Sequence, residues 1–268
     1  MMTFQQKNNT EISETSKFQF AVIGAGAMAT AIVKGLLNKN IYKASEIIFL
    51  SRSQEKLEKQ NKELGIAITT SYDELKKQVA DDAFLLLGVK PQVMPIALEG
   101  LIGIKDSNKI ISVAAGIKIS TIEKKFPENK IFRVMPNTPA QISKAASAVS
   151  YNAKSSKESI AKVKEIFSAI GICVGVNEKD LDAVTALSGS GPAYVFLMTE
   201  AMTNAGIKLG LSKEVAETLA RQTVYGAASL MIESGESAQV LRKKVTSPNG
   251  TTQAGIENFQ ANNFEEIV

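Results

Sequence analysis

Three small residues near the amino terminus have the type and spacing that bring a phosphate close to a polypeptide backbone. Gly24, Gly26 and Ala29 form the pattern G-x-G-x-x-A, directly after the apolar run "FQFAVI" and before apolar residues at helical spacing. In such a unit the glycines permit a tight turn and a close approach to a pyrophosphate, and the small third residue lets helix and strand pack closely. The free amides of Ala27 and Met28 would then face the phosphates. The pattern predicts a dinucleotide-binding turn, although a tight turn without a ligand would use the same small residues.

The residues after the second predicted strand indicate which dinucleotide binds. Sites that prefer NAD usually place an acidic residue there, on the ribose diol, whereas this chain has Ser51, Arg52 and Ser53. A guanidinium flanked by hydroxyls can hold a 2′-phosphate through charge-assisted hydrogen bonds. We therefore expect NADPH as the cofactor, with NADH as a weaker substitute; the alternative interpretation of Arg52 is a solvated loop arginine.

The complete absence of histidine excludes several kinds of catalytic centre. It removes triads based on histidine, zinc or iron held by histidine, and the histidine acid of many hydroxy-acid dehydrogenases. We predict no metal site. The single cysteine, Cys173, lies in the apolar run "GICVGV" and is expected to be a buried strand residue rather than a reactive thiol.

The elements that position these residues follow from the pattern of apolar runs. Short runs alternate with longer periodic segments, which is typical of strand-helix units around a parallel sheet. We predict an α/β fold class: a Rossmann-like, mostly parallel sheet with helices on both faces at 18–176, preceded by a disordered polar tail at 1–17. The predicted strands span 18–23, 47–50, 67–69, 83–87, 109–113, 130–134, 146–150 and 172–176.

Two helices of this part carry start signals. Ser71 with Glu74, and Ser155 with Glu158, fit the capping box, in which a hydroxyl and a carboxylate satisfy opposite free amides. Both pairs therefore predict where a helix begins.

The pattern changes after Asn177 to nearly continuous helix, rich in alanine and methionine. We predict a second, all-helical domain at 177–268. Its many small residues permit close helix-helix packing, which fits a dimer interface but also the core of a monomer.

Composition favours an ordinary cytoplasmic protein. The formal net charge of +4 is mild, and the lysines are spread along the chain, so we do not expect a nucleic-acid partner. No apolar run approaches the roughly 18 residues that a membrane helix needs, and the first 17 residues lack the apolar core of a signal peptide. We expect no membrane association.

Three further stretches are dense in turn-forming residues, and each alone could be a structural turn. They are "FRVMPNTPA" (132–140), "LSGSGPAYVFL" (187–197) and "VTSPNGTTQAG" (245–255). In this order and at these intervals they strongly resemble the pyrroline-5-carboxylate reductases, which reduce 1-pyrroline-5-carboxylate to proline with NAD(P)H. The resemblance runs from about residue 18 to residue 264.

The resemblance implies a Rossmann domain followed by a helical domain whose helices interleave with those of a partner subunit. It also implies a small-molecule substrate and a role in the last step of proline biosynthesis. For Lys90, the resemblance implies a contact with the cofactor, and the alternative is that its side chain is a solvated loop lysine. The full set of residues that the resemblance places at the cofactor is Val89, Lys90, Pro91, Ala114, Ala115, Gly116 and Asn137.

The third stretch is the expected substrate loop. Backbone amides from Gly250 onward, with Ser247 and the hydroxyl of Thr251 or Thr252, could hold the substrate carboxylate at a helix start. By resemblance, Thr252 is the catalytic residue that hydrogen-bonds the imine nitrogen. The alternative is that Ser247 and the threonines only cap the helix. A protonated imine is already electrophilic, so the missing histidine is consistent with catalysis by proximity and orientation.

The chain departs from the family pattern at one loop residue, and two other functions stay open. Asn249 replaces a glycine, and we expect the loop to keep its shape because asparagine tolerates left-handed conformations. The alternatives are a reductase of a related imine and a catalytically idle paralogue that binds NADP(H).

Overall fold

The computed structural model describes residues 17–268, so the predicted tail, apart from Lys17, lies outside the described residues. The chain divides into two compact units, the first ending at Pro192 and the second running from Ala193 to Val268. Our predicted boundary after residue 176 stays a prediction.

In the described part of the first unit, eight strands form one sheet. The strands are β1 (Phe18–Ile23), β2 (Ile47–Leu50), β3 (Ala67–Thr69), β4 (Val79–Leu87), β5 (Lys109–Ser112), β6 (Lys130–Met135), β7 (Ala145–Tyr151) and β8 (Gly171–Gly175). Their order is β3-β2-β1-β4-β5-β6-β7-β8. All neighbours are parallel except β6 and β7, which are antiparallel. The mostly parallel α/β sheet is therefore confirmed.

Strand β4 is longer than its sequence pattern indicates. It begins at Val79, four residues before the predicted start at residue 83. Asp81 and Asp82 lie in this extra segment with exposed side chains, and the Asp81 carboxylate pairs with Lys17 and Lys105. Two adjacent carboxylates interrupt the apolar run, so apolar periodicity alone could not find this part of the strand.

The helices lie between and after the strands. A stretch of 3₁₀-helix at Pro91–Val93 leads into the fourth helix, another spans Thr138–Ile142, and a π-helical turn spans Thr185–Gly189. The α-helices are α1 (Ala27–Asn38), α2 (Gln54–Leu64), α3 (Tyr72–Gln78), α4 (Met94–Gly100), α5 (Ile119–Glu123), α6 (Lys157–Ser168), α7 (Leu181–Val184), α8 (Gly191–Lys208), α9 (Lys213–Ser234), α10 (Ala238–Lys244), α11 (Thr251–Ala261) and α12 (Phe264–Ile267).

The first predicted capping box is half formed. Ser71 caps α3, because its Oγ accepts the amide of Glu74 at 3.3 Å. The Glu74 carboxylate accepts the Thr69 hydroxyl at 2.6 Å instead of the amide of Ser71, which donates to Thr69 Oγ1 at 3.1 Å. A nearby hydroxyl on β3 therefore takes the place that the box motif assigns to the cap amide.

The second predicted box is wrong by one residue. Helix α6 is capped by Ser156, whose Oγ accepts the amide of Ser159 at 3.3 Å. The hydroxyl of Ser155 instead donates to Asn152 Oδ1 at 2.9 Å. Two consecutive serines offer alternative caps, and the hydrogen bond to Asn152 decides between them.

The sheet is buried on both faces, as its parallel strands require. Along β1, Phe20 and Val22 pack in one apolar cluster while Ala21 and Ile23 pack in the other. This alternation fixes the register of β1, because a shift by one residue would exchange the two faces.

Cys173 is a strand residue, as predicted, and is half-buried in β8. Burial raises the pKa of its thiol to about 11. The thiol is therefore protonated near neutral pH, which makes it a poor nucleophile.

The second unit buries very little of its own surface. In the described helices from α8 onward, Ala216 and Ala220 of α9 are the buried residues. Large apolar side chains such as Phe196 and Leu197 are about two-thirds exposed, at 65% and 66%. Among residues 17–268, no helix has the length and apolar composition to cross a bilayer.

Candidate cofactor and substrate sites

The carboxyl ends of β1, β2 and β4 lie side by side at one edge of the sheet. Ile23 is in register with Leu50 on one side and with Leu87 on the other. Open parallel sheets bind their ligands at this edge. The residues that continue from the three strands are Gly24, Ser51 and Gly88.

The turn after β1 requires glycine. Gly24 has a φ of +105°, and its amide donates to Leu50 O at 2.7 Å. A Cβ on Gly24 would lie 2.9 Å from Gly88 O, and one on Gly88 would lie 2.9 Å from the Cβ of Ala29. The small residues of the motif thus let the turn, β4 and α1 approach closely. Gly88 belongs to the same packing, but it follows a strand that carries no glycine motif, so the sequence did not single it out.

The start of α1 presents backbone donors that have no acceptor among residues 17–268. Gly26 is the N-cap and provides no side-chain capping bond, and the first intrahelical bond runs from the Thr30 amide to Gly26 O at 2.9 Å. In the described structure the amides of Ala27, Met28 and Ala29 therefore have no backbone acceptor. Free amides and the positive end of the helix dipole suit a pyrophosphate.

A cavity of about 300 Å³ opens in front of this turn, and we call it the cofactor cavity. Among the described residues that line it there is no carboxylate, whereas Arg52, Lys56 and Lys90 contribute positive charge. The donor set fits an anionic ligand. The predicted cofactor residues that line the cavity are Gly24, Gly26, Ser51, Arg52, Val89 and Lys90.

Tyr72 and Ile96 form an apolar part of the same cavity that the sequence did not reveal. A Cβ on Gly100 of α4 would meet the Tyr72 ring at 2.6–2.7 Å, so this glycine lets the ring lie against the helix. Burial raises the pKa of the Tyr72 hydroxyl, and the positive charge of Arg52 opposes the shift. The same cavity is therefore lined by an aromatic ring and a guanidinium.

Other predicted cofactor residues lie outside this cavity. Ala27 lines a neighbouring cavity of about 790 Å³, here called the α1–α2 groove, together with Lys34, Lys56 and Lys59. The predicted cofactor residues that line neither cavity are Met28, Pro91, Ala114, Ala115, Gly116 and Asn137. Their contacts with a cofactor stay predictions.

Asn137 joins two of the turn-rich stretches. Its Nδ2 donates to Ser188 O at 2.9 Å, and its Oδ1 accepts the amide of Ala146 at 2.9 Å. The side chain is buried, at 8% exposure. Its amide therefore links the 3₁₀ turn and β7 to the π-helical turn, a structural role that sequence reasoning did not assign.

The expected substrate loop leads into α11, in the second unit. Gly250 is the N-cap of this helix and provides no side-chain capping bond, while Gln253 Oε1 accepts the amide of Asn249 at 2.8 Å. The alternative that Ser247 and the threonines cap the helix is therefore wrong. In the described structure, no hydrogen bond involves the hydroxyl of Ser247, Thr251 or Thr252.

The loop keeps the shape expected for a glycine at position 249. Asn249 has a φ of +59°, in the left-handed region. The next turn is closed by the amide of Gly250, which donates to Ser247 O at 3.1 Å. A Cβ on Gly250 would run into Ser247 Oγ, so the lack of a side chain at this position leaves room for the serine hydroxyl at the helix start.

Comparison with known families assigns both parts of the chain. Residues 178–268 match the family described as pyrroline-5-carboxylate reductase dimerisation. Residues 19–116 match the family described as NADP oxidoreductase, coenzyme F420-dependent. The first match supports self-association of the helical region, and the second supports use of NADP.

Curated relatives match over nearly the whole chain. A pyrroline-5-carboxylate reductase of Pseudomonas aeruginosa is 41% identical over 253 residues, covering 93% of this chain and 91% of that protein. One of Arabidopsis thaliana is 38% identical and covers 94% of this chain and 90% of that protein.

Solved structures agree. A pyrroline-5-carboxylate reductase of Coxiella burnetii has a TM-score of 0.84 at 35% identity, over 94% of this chain and 93% of that one. The Plasmodium falciparum enzyme, solved with NADP bound, has a TM-score of 0.82 at 30% identity, over 94% and 93%. With identities of this size over more than nine-tenths of its length, the chain belongs to the pyrroline-5-carboxylate reductase family.

Proposed function

We propose that this protein reduces 1-pyrroline-5-carboxylate to L-proline with NADPH, the last step of proline biosynthesis. The observation that carries the proposal is the 41% identity to a pyrroline-5-carboxylate reductase over 93% of the chain. The uncommitted hydroxyls of Ser247, Thr251 and Thr252 at the start of α11 support it, because a bound substrate would give them partners.

The residues of the first unit fit the cofactor. Amides at the start of α1 hold the pyrophosphate, and Arg52 with Ser51 binds the 2′-phosphate. When bound, NADPH supplies the hydride. Close approach of the backbone at Gly24 and Gly26 keeps the phosphates in one position, so that binding contributes orientation as well as affinity.

The loop residues of the second unit fit the substrate. The substrate is a small cyclic imine with a carboxylate, and the free amides of Thr251 and Thr252 with Ser247 Oγ bind that carboxylate. The hydroxyl of Thr252 hydrogen-bonds the imine nitrogen and holds its proton in place as the nitrogen becomes an amine. No strong acid is needed, because the protonated imine is already electrophilic.

Turnover measurements test the proposal directly. We expect NADPH oxidation with 1-pyrroline-5-carboxylate and much slower oxidation with its six-membered homologue. Faster reduction of the homologue would identify a reductase of another imine. Tight NADPH binding without turnover of either compound would identify an idle paralogue.

The protein acts in the cytoplasm as a homo-oligomer, a dimer or a multiple of dimers, paired through its helical half. The exposed apolar side chains of α8 and α9 support the pairing, because a lone copy would leave them in water. Sedimentation of the purified chain tests the oligomer.

A further inference from the structure

We propose that Lys56 is a second specificity-determining residue, which binds the 2′-phosphate of NADPH together with Arg52. The inference rests on the proposed cofactor site and extends it by a residue on α2. Ser53 caps this helix, and its Oγ accepts the amide of Lys56 at 3.4 Å. Lys56 is thus the third residue of α2, and helical side chains incline toward the amino end of their helix. This inclination favours the side of the helix that faces the loop of Arg52, and Lys56 lines the same cavity as Arg52.

Both cations line the cofactor cavity, and one of them also lines the neighbouring groove. Arg52 lines the cofactor cavity, where its charge acts on Tyr72. Lys56 lines the cofactor cavity and also the α1–α2 groove, so it stands on the border between them. A phosphate at the end of β2 would therefore lie in a cavity lined by both a guanidinium and an ammonium.

The local charges favour an anion between these side chains. In the described structure, neither Arg52 nor Lys56 has a carboxylate within ion-pair distance, whereas Lys34 of the groove is paired with Glu63. A lysine in the first turn is also repelled by the positive end of the helix dipole, and a bound anion would offset this repulsion. Glu55 lies beside Lys56 in the sequence, but it does not line the cavity.

The two side chains divide the recognition by their chemistry. The planar fork of Arg52 can donate two parallel hydrogen bonds and so orients the phosphate, whereas Lys56 is a compact charge on a flexible stem. We therefore expect Lys56 to contribute affinity for the 2′-phosphate and to tolerate replacement by arginine.

Equilibrium binding separates this role from catalysis. The probes are adenosine 2′,5′-bisphosphate and adenosine 5′-monophosphate, which differ only in the 2′-phosphate. Lys56→Gln should weaken the affinity for the bisphosphate about tenfold, which is the effect of losing one hydrogen bond to a charged group. The affinity for the monophosphate should fall less than twofold. Lys56→Arg should keep the affinity for the bisphosphate close to that of the unmodified protein. Lys59→Gln is the matched control, because Lys59 lies one turn further along α2 and lines the groove but not the cofactor cavity.

Several outcomes would overturn the inference. Equal losses of affinity for the two probes would show that Lys56 contacts another part of the nucleotide. An equal loss of bisphosphate affinity in Lys59→Gln would show that the effect of Lys56 comes only from its positive charge and not from its position. An unchanged bisphosphate affinity in Lys56→Gln would show that Lys56 does not bind the 2′-phosphate and would leave Arg52 as the residue that recognises it. The assay needs no turnover, so an idle protein that still discriminates the probes would contradict the proposed function and leave this inference intact.

Discussion

At the scale of single residues, the hydroxyl of Thr252 is the group on which the proposed chemistry depends. Thr252→Ala removes the hydrogen bond to the imine nitrogen, so we expect kcat to fall about tenfold or more. NADPH affinity should stay nearly unchanged. Steady-state kinetics and NADPH titration check both statements.

Thr203→Ala is a suitable control for that variant, because the Thr203 hydroxyl already donates to Thr199 O within α8. It should leave kcat close to the unmodified value. A Thr252→Ala protein that lost NADPH binding but kept its kcat would contradict the assigned role.

The left-handed backbone at position 249 gives a second prediction. Asn249→Gly should keep the Michaelis constant for 1-pyrroline-5-carboxylate, because glycine adopts a φ of +59° without strain. Asn249→Val must adopt the same φ at a cost of about 1–2 kcal/mol, so the loop should lose its shape and the Michaelis constant should rise. Equal constants for the two variants would show that the loop conformation does not matter for substrate binding.

Arg52 follows the end of β2, where dinucleotide-binding sites contact the ribose, and this position gives a third prediction. Arg52→Ala should raise the Michaelis constant for NADPH far more than that for NADH, since only NADPH carries the 2′-phosphate. The preference for NADPH in the unmodified enzyme should also weaken with added salt, because Arg52 is exposed to solvent and its attraction to a phosphate is screened there. Equal losses for the two cofactors would remove the argument.

Sequence reasoning reached residues whose roles depend on local chain geometry, such as Gly24 and Asn249. It did not reach Lys56 or Tyr72, because their place at the cavity depends on how α2 and α3 pack beside the sheet. An exposed lysine or a half-buried tyrosine on a helix has no local signal. Only the tertiary structure assigns them to one site.

At the scale of elements, the side chain of Asn137 connects three segments through two hydrogen bonds. Asn137→Ala would leave the Ala146 amide and the Ser188 carbonyl without these partners, each at about 1–3 kcal/mol when buried. We expect the free energy of unfolding of the first unit to fall by about 2 kcal/mol or more. Urea denaturation of the protein measures this change.

The control is Asn177→Ala, since the Asn177 amide is exposed and donates only to the Asp180 carboxylate. It should change the free energy of unfolding by less than about 0.5 kcal/mol. If Asn137→Ala instead kept full stability and lost NADPH, the cofactor contact implied by resemblance would be its main role.

Element boundaries were predictable where apolar runs are uninterrupted and less so elsewhere. Strands β1, β2 and β3 begin and end at the predicted residues, because each is a short apolar run bounded by polar or turn residues. Asp81 and Asp82 concealed the start of β4, and Ser155 competed with Ser156 for the cap of α6. The antiparallel direction of β7 depends on its pairing with β6, which no local pattern encodes.

At the scale of the whole molecule, the exposed apolar helices of the second unit predict a specific response to charge. Leu197→Asp places a carboxylate on a face of α8 that is proposed to pack against another copy. We expect it to shift sedimentation toward the monomer. Ile102→Asp, at a 45% exposed position outside the helical half, is the matched control and should keep the oligomer.

The few buried side chains between Ala193 and Val268 also decide how the stability of this half has to be expressed. If another copy completes its core, unfolding and dissociation are one equilibrium, and the melting temperature rises with protein concentration. Each tenfold dilution then removes about 1.4 kcal/mol from the stability of a dimer. A free energy of unfolding for this half has meaning only when a concentration is quoted with it, and an assay at nanomolar enzyme samples a less stable protein than one at micromolar enzyme.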